Sequence, residues 1–180
     1  KKKEQPELEE EEVLDAEIEV PFKAPEETIF VNLARAISGD DDFAFIYKGL
    51  TTHICNQLEA NSTLLPFSRK SDECYCENLV IFWRLLQENK EFSTFCLSQP
   101  TACERVIIPI LCYVKQGVQD PSGVGLLRLC EFLLLCLSED RMFGVACNAA
   151  APSRSILSDA GSLEGGSNYA DLVIMTLSNL

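Results

Sequence analysis

Apolar residues recur at helical spacing along almost the whole of this chain, and that recurrence constrains its fold more than any other feature. The longest example is Phe43, Ile46, Tyr47, Leu50, Ile54 and Leu58, which keep to the i, i+3, i+4, i+7 pattern of one helix face. No stretch alternates apolar and polar residues long enough to make a half-buried strand, and the β-branched residues sit inside helical patterns. Nine glycines and eight prolines in 180 residues fall below the usual share of about 12%, which argues against a turn-rich β protein. The fold class is therefore all-α.

Punctuation divides the pattern into segments. Pro25-Glu26-Glu27 reads as a helix start, followed by Phe30, Leu33, Ala34 and Ile37, and Gly39 stops that helix. Asp40 caps the long helix that follows. Residues 60–71 read as a loop holding the apolar Leu64-Leu65-Pro66-Phe67. A third helix spans Asp72 to Lys90 with Leu79, Phe82, Trp83 and Leu86 on one face, and a short one covers Glu91 to Leu97. Thr101-x-x-Glu104 has the form of a capping box, and Pro109 inside the next pattern should kink it or delay its start. Asp120-Pro121 opens a helix whose section from Leu126 to Leu137 is apolar nearly all round, which predicts the central, buried helix. Residues 148–167 are rich in Ala, Ser, Gly and Pro and read as an exposed loop, after which Asn168 to Asp171 caps a last helix. Uneven helices without a strict repeat fit an irregular armadillo/HEAT-like α-solenoid or a multi-helix bundle.

Charge separates the two ends of this reading. The first 20 residues carry nine acids and three lysines, so residues 1–24 are expected to be an acidic tail or linker ahead of a single helical domain over 25–180. The net charge of −13 disfavours nucleic acid and anionic membrane surfaces as partners. The chain begins at Lys1 and stops within a helical run, as a piece of a longer protein would. Nine cysteines, most within apolar helical stretches, read as buried free thiols in a reducing, cytoplasmic setting. The apolar stretches are too short, and too interrupted by charge, for a membrane span.

Little reactive chemistry is spelled out. No C-x-x-C pair exists, Cys74-x-Cys76 is too tight for the usual chelate, and His53 is the one histidine available for a mixed metal site. A Cys nucleophile would need that same His53, which the periodicity places at the margin of a buried stripe as a packed residue. Asp40-Asp41-Asp42 stands where a helix dipole favours acids, and Gly123-x-Gly125 lacks the rest of a phosphate-binding loop. Neither a catalytic residue, nor a metal, nor a cofactor is expected.

The segment Leu137-Ser138-Glu139-Asp140-Arg141-Met142-Phe143-Gly144-Val145, with Asn148, is less bland. Read structurally, Arg141 bonds the last carbonyls of the preceding helix, Phe143 seals the core, and Gly144 adopts a left-handed cap. The alternative is direct partner binding at a helix stop.

That same segment resembles the "LS-acid-R-x-FGV…N" stretch of the high-temperature-induced dauer-formation protein family, a relative of dymeclin. Asn32-Leu33-Ala34-Arg35-Ala36-Ile37-Ser38 with Asp42-Phe43 and Lys48-Gly49 is similar to the family's "NLIRAIS…DF…KG" helix pair. Leu79-Val80-Ile81-Phe82-Trp83 with Asn89-Lys90-x-Phe92 is similar to its "ELLVLFW…NKKF" helix, and Ala170-Asp171-Leu172-Val173-Ile174 to its "ADLLI" helix. The four motifs keep their order over about residues 28–180. Their signature residues here are Ser138, Glu139, Arg141, Phe143, Gly144 and Asn148.

The resemblance implies a cytosolic α-helical scaffold without enzymatic activity, peripheral on Golgi membranes. It further implies a role through protein partners in sorting secretory cargo at the trans-Golgi and in forming dense-core vesicles. Family members anchor partly through a myristoylated N-terminal glycine, which is absent from this sequence. Residues 149–166 depart from the family's more ordered apolar stretch. A generic armadillo-like adaptor, or a hydrolase using Cys and His53, are the alternatives.

Overall fold

A computed structural model describes residues 28–62, 74–120, 122–149 and 168–178. The expected acidic tail, the Pro25-Glu26-Glu27 start, residues 64–67 and the expected loop beyond Ala149 lie outside the described residues. Within them the regular structure is helical, with no strand. In chain order come α1 (Ile29–Ala36), α2 (Asp40–Ser62), α3 (Tyr75–Glu88) and α4 (Lys90–Ser98). A π turn (Cys103–Ile107) then leads into α5 (Ile108–Gln119), followed by α6 (Val124–Ser138), α7 (Arg141–Cys147) and α8 (Tyr169–Ser178). The all-α class holds, of the solenoid or helix-bundle kind.

The α1–α2 corner turns as the sequence demands, since Gly39 sits at φ +110°, a conformation that side chains resist. Within α1, however, the buried residues are Val31 and Ala34, while Phe30 and Leu33 face solvent. So short a helix docks along a narrow line, and the i, i+3 pair on that line wins over the wider stripe. On α2 the stripe is as expected, with Phe43, Tyr47, Ile54 and Leu58 buried and Ile46 and Leu50 packed at its edges.

The centre of the molecule is α5, not α6. Every residue from Ile108 to Val114 is buried, because α5 meets α2, α6, α8 and the π turn. The all-round apolar stretch 126–137, expected to be central, instead buries one face through Cys130, Leu133, Leu134 and Leu137. Phe132 and Leu135 stand 50% and 60% exposed. Composition showed an apolar helix; it carried no information on which of two apolar helices gains neighbours on every side.

Pro109 explains the π turn. Proline lacks the N–H that would bond the carbonyl four residues back, that of Arg105. The chain widens by one residue just before it, and the Ile108 N–H bonds Cys103 O in place of the α-helical partner. The Cys55 thiol donates to Arg105 O at 3.7 Å from α2, supplying the carbonyl that Pro109 leaves unserved. The expected Thr101/Glu104 capping box does not form: Thr101 Oγ1 lies 3.4 Å from the Tyr47 hydroxyl, and Glu104 accepts from Tyr169 Oη at 3.4 Å. Both side chains are taken by long-range partners, which outcompete a local cap.

Candidate functional site

Residues from three of the four sequence motifs meet in space around the junction of α3 and α4, while the fourth, on α8, packs against α7 and α5. Asn89 is the shared hinge between these helices and is 6% exposed. Its amide nitrogen donates to Ala34 O and Ile37 O, both at 2.9 Å, which closes the C-terminal end of α1. Its amide oxygen accepts from Phe92 N at 2.9 Å and caps α4. Next to it Glu88 pairs with Arg35 at 2.9 Å and with Arg84 at 3.3 Å. Nothing in the sequence ranked Asn89 above its neighbours; the available signal was an Asn directly before the Lys90-Glu91-Phe92 helix start.

The other side of α4 receives the turn between α6 and α7. Lys90 Nζ contacts Glu139 Oε2 at 2.5 Å, and Thr94 Oγ1 donates to Asp140 Oδ2 at 2.6 Å. Asp140 also accepts from Met142 N at 2.8 Å, capping α7. The Thr94 and Met142 donors hold its carboxyl below the ordinary aspartate range. Ser138 Oγ donates to Leu135 O at 2.8 Å and closes α6.

Two signature residues, Gly144 and Arg141, behave differently from the reading. Gly144 is not a left-handed cap: it sits inside α7, with open space where a Cβ would go, because Asp140 restarts a helix that carries the chain on to Cys147. Asn148 closes α7 instead, its side-chain and backbone N–H groups both donating to Gly144 O, at 2.8 and 3.1 Å. Arg141 opens α7, exposed to solvent, and makes no hydrogen bond to the α6 carbonyls. Phe143 is half-buried and packs against the core.

Beside this junction lies a hollow of about 500 Å³ between the first turn of α2 and α4. Phe43 and Phe95 form its floor, their ring centroids 5.6 Å apart, and Asp40, Lys90, Glu91 and Thr94 wall it. Phe43 is held from behind by Phe92 at 5.7 Å, and Tyr47 meets Phe95 edge-on at 6.3 Å.

The thiols sit apart from it. Burial pushes Cys55 and Cys112 up to about 11 and Cys130 up to about 12, and raises Cys96 as well. Cys103 and Cys147 are hydrogen-bonded to one another, which raises Cys103 and lowers Cys147, yet both are buried, and Cys103 Sγ also meets Ala146 O at 3.1 Å. His53 is exposed rather than packed, because it falls off the stripe of Ile54 and Leu58. It points about 200° around α2 from Cys55, so that pair is not assembled. Among the described residues no group of three or more His, Cys, Asp or Glu is placed to hold a metal ion, and no helix is long and apolar enough to cross a membrane.

The geometry thus defines an all-α protein with an apolar hollow beside a polar helix junction. The sequence profile described as "Dymeclin: Dyggve-Melchior-Clausen syndrome protein" matches residues 3–180. The chain is 38% identical to "Protein HID1" of Homo sapiens and of Mus musculus over 122 residues, 68% of this chain and 15% of either relative. It is 24% identical to "Protein HID1" of Dictyostelium discoideum over 151 residues, 84% of this chain and 16% of that relative. No solved structure matches. The chain belongs to the HID1/dymeclin family, and it spans about 15% of the length of the human and mouse relatives.

Proposed function

We propose that this protein is a non-catalytic scaffold in secretory traffic, peripheral on the cytoplasmic face of Golgi and trans-Golgi membranes, where it helps sort cargo into dense-core-type vesicles by binding other proteins. Family membership carries the reading, through the profile match over residues 3–180 and the 38% identity to the human and mouse relatives. The structure supports it in two ways. Signature residues serve as caps and inter-helix ties, as a scaffold requires, and exposed apolar side chains such as Phe45, Phe132 and Leu135 remain for contacts with other helices. On this reading residues 25–180 act as one helical domain behind an acidic segment over 1–24.

Removing the protein from secretory cells tests the proposal. Regulated cargo should then leak into constitutive secretion, and a fluorescent copy should coincide with a trans-Golgi marker and restore sorting. Unchanged secretion with a copy spread away from Golgi membranes would count against it. A copy that keeps its protein partners without Golgi residence would favour the armadillo-like adaptor.

A further inference from the structure

We infer that the hollow between α2 and α4 is a docking site for a short basic segment of a partner protein, which lays one apolar side chain on the floor formed by Phe43 and Phe95. The inference rests on the scaffold reading above and adds the face used and the chemistry it accepts. At about 500 Å³ the hollow lies within the range of about 300–1,000 Å³ typical of binding sites, and it is roomier than one side chain needs. Its floor is aromatic and fixed: Phe43 is 4% exposed, and Phe95 is half-buried, held by two aromatic neighbours.

The rim selects the charge of the visitor. Asp40 and Glu91 wall the hollow, Asp41 and Asp42 continue the first turn of α2, and Asp140 and Glu139 border it through Thr94 and Lys90. Among the described residues the cation that lines the hollow is Lys90, already engaged by Glu139, and Arg141 faces Asp140 from the start of α7. Among the described residues no ion pair engages Asp40 or Glu91. The α2 dipole contributes only about +0.5 charge at its N-terminus, which three aspartates in the first turn outweigh. An anionic ligand, whether phosphate, nucleic acid or acidic lipid, meets repulsion here, while a lysine- or arginine-flanked apolar residue meets charge complementarity around an aromatic floor.

The test uses the full chain and a fluorescein-labelled peptide, KKLFKKG, with KKGGKKG and EELFEEG as controls. Saturable binding of KKLFKKG is expected, about fivefold or more weaker in Glu91→Lys and in Phe95→Ala, and unchanged in Glu131→Lys, which alters an exposed acid on α6 outside the hollow. Binding should also weaken as salt rises from about 50 mM to about 500 mM. Equal binding of KKGGKKG, tighter binding of EELFEEG or of phosphatidylserine vesicles, or full affinity in Glu91→Lys would each overturn the inference. Phe95→Ala removes part of an aromatic cluster, so its fold is checked by circular dichroism; where it is lost, the surface variant Glu91→Lys decides. In cells, normal cargo sorting by Glu91→Lys overturns the docking site and leaves the scaffold reading intact. Peptide binding by a protein that never reaches Golgi membranes does the reverse.

Discussion

Asn89 shows how much of the molecule one side chain can hold. Its amide serves three backbone groups from two helices while nearly excluded from water. Asn89→Ala removes a cap and strands two buried carbonyls, and is expected to cost about 2–4 kcal/mol in urea unfolding. Asn89→Asp is the sharper variant. It keeps the acceptor for Phe92 N but turns a carboxylate toward Ala34 O and Ile37 O, so it should not recover the loss; full recovery would show that only the α4 cap matters. Asp140 offers a pH-dependent counterpart. Its carboxyl is held below the ordinary range, so its stabilisation is present above that range and is lost as pH falls through the depressed folded-state value. The stability gap between the natural protein and Asp140→Asn should therefore be full near about pH 6 and close as the pH drops below about 3.8, the ordinary aspartate value. A gap that is flat across acid titration would contradict the Thr94–Asp140 tie.

At the scale of elements, the α5–α6 corner depends on two glycines. A Cβ at Gly123 would lie 2.8 Å from Gly117 Cα and 2.9 Å from Gly117 O, so Gly123→Ala forces two backbones apart. A loss of about 1–3 kcal/mol in denaturant unfolding is expected, with melting as a second check. Gly144 is the opposite case. It sits in α7 with nothing within 4 Å of a built Cβ, so Gly144→Ala should leave stability unchanged or raise it by up to about 1 kcal/mol. A left-handed Gly144, as the sequence suggested, would make the same substitution destabilising. This difference marks what the sequence made legible. Local signals were enough for Gly39, for the α2 stripe and for Asn168, which caps α8 by accepting from Asp171 N at 2.8 Å. What stayed hidden depends on partners distant in sequence: the Lys90–Glu139 and Thr94–Asp140 ties, the loss of the Thr101 cap to Tyr47, and the choice of α5 over α6 as the centre. The hollow was hidden for the same reason, since Phe43 and Phe95 come together only through the packing of α2 on α4.

For the molecule as a whole, the cysteines act as reporters distributed through the core. Cys96, Cys103, Cys112, Cys130 and Cys147 lie on different helical segments, are all buried, and belong to one apolar cluster that runs from α1 to α8. Alkylation requires a thiolate that a reagent can reach. With Cys112 near 11 and Cys130 near 12, the thiolate fraction at pH 8 is on the order of one in a thousand or less, quite apart from burial. Under native conditions a maleimide should therefore modify the exposed Cys74 first, and Cys55, Cys76 and Cys136, at intermediate burial, more slowly. The five buried thiols should react only through opening. If the cluster unfolds as one unit, those five react together at a common rate that rises with denaturant as global unfolding does, which peptide mapping after timed quenching can follow. Early labelling of Cys147 alone would instead mean that α7 opens as a separate unit from α5 and α6. Rapid labelling of one buried thiol without denaturant would contradict the packed core and favour a reactive-cysteine chemistry instead.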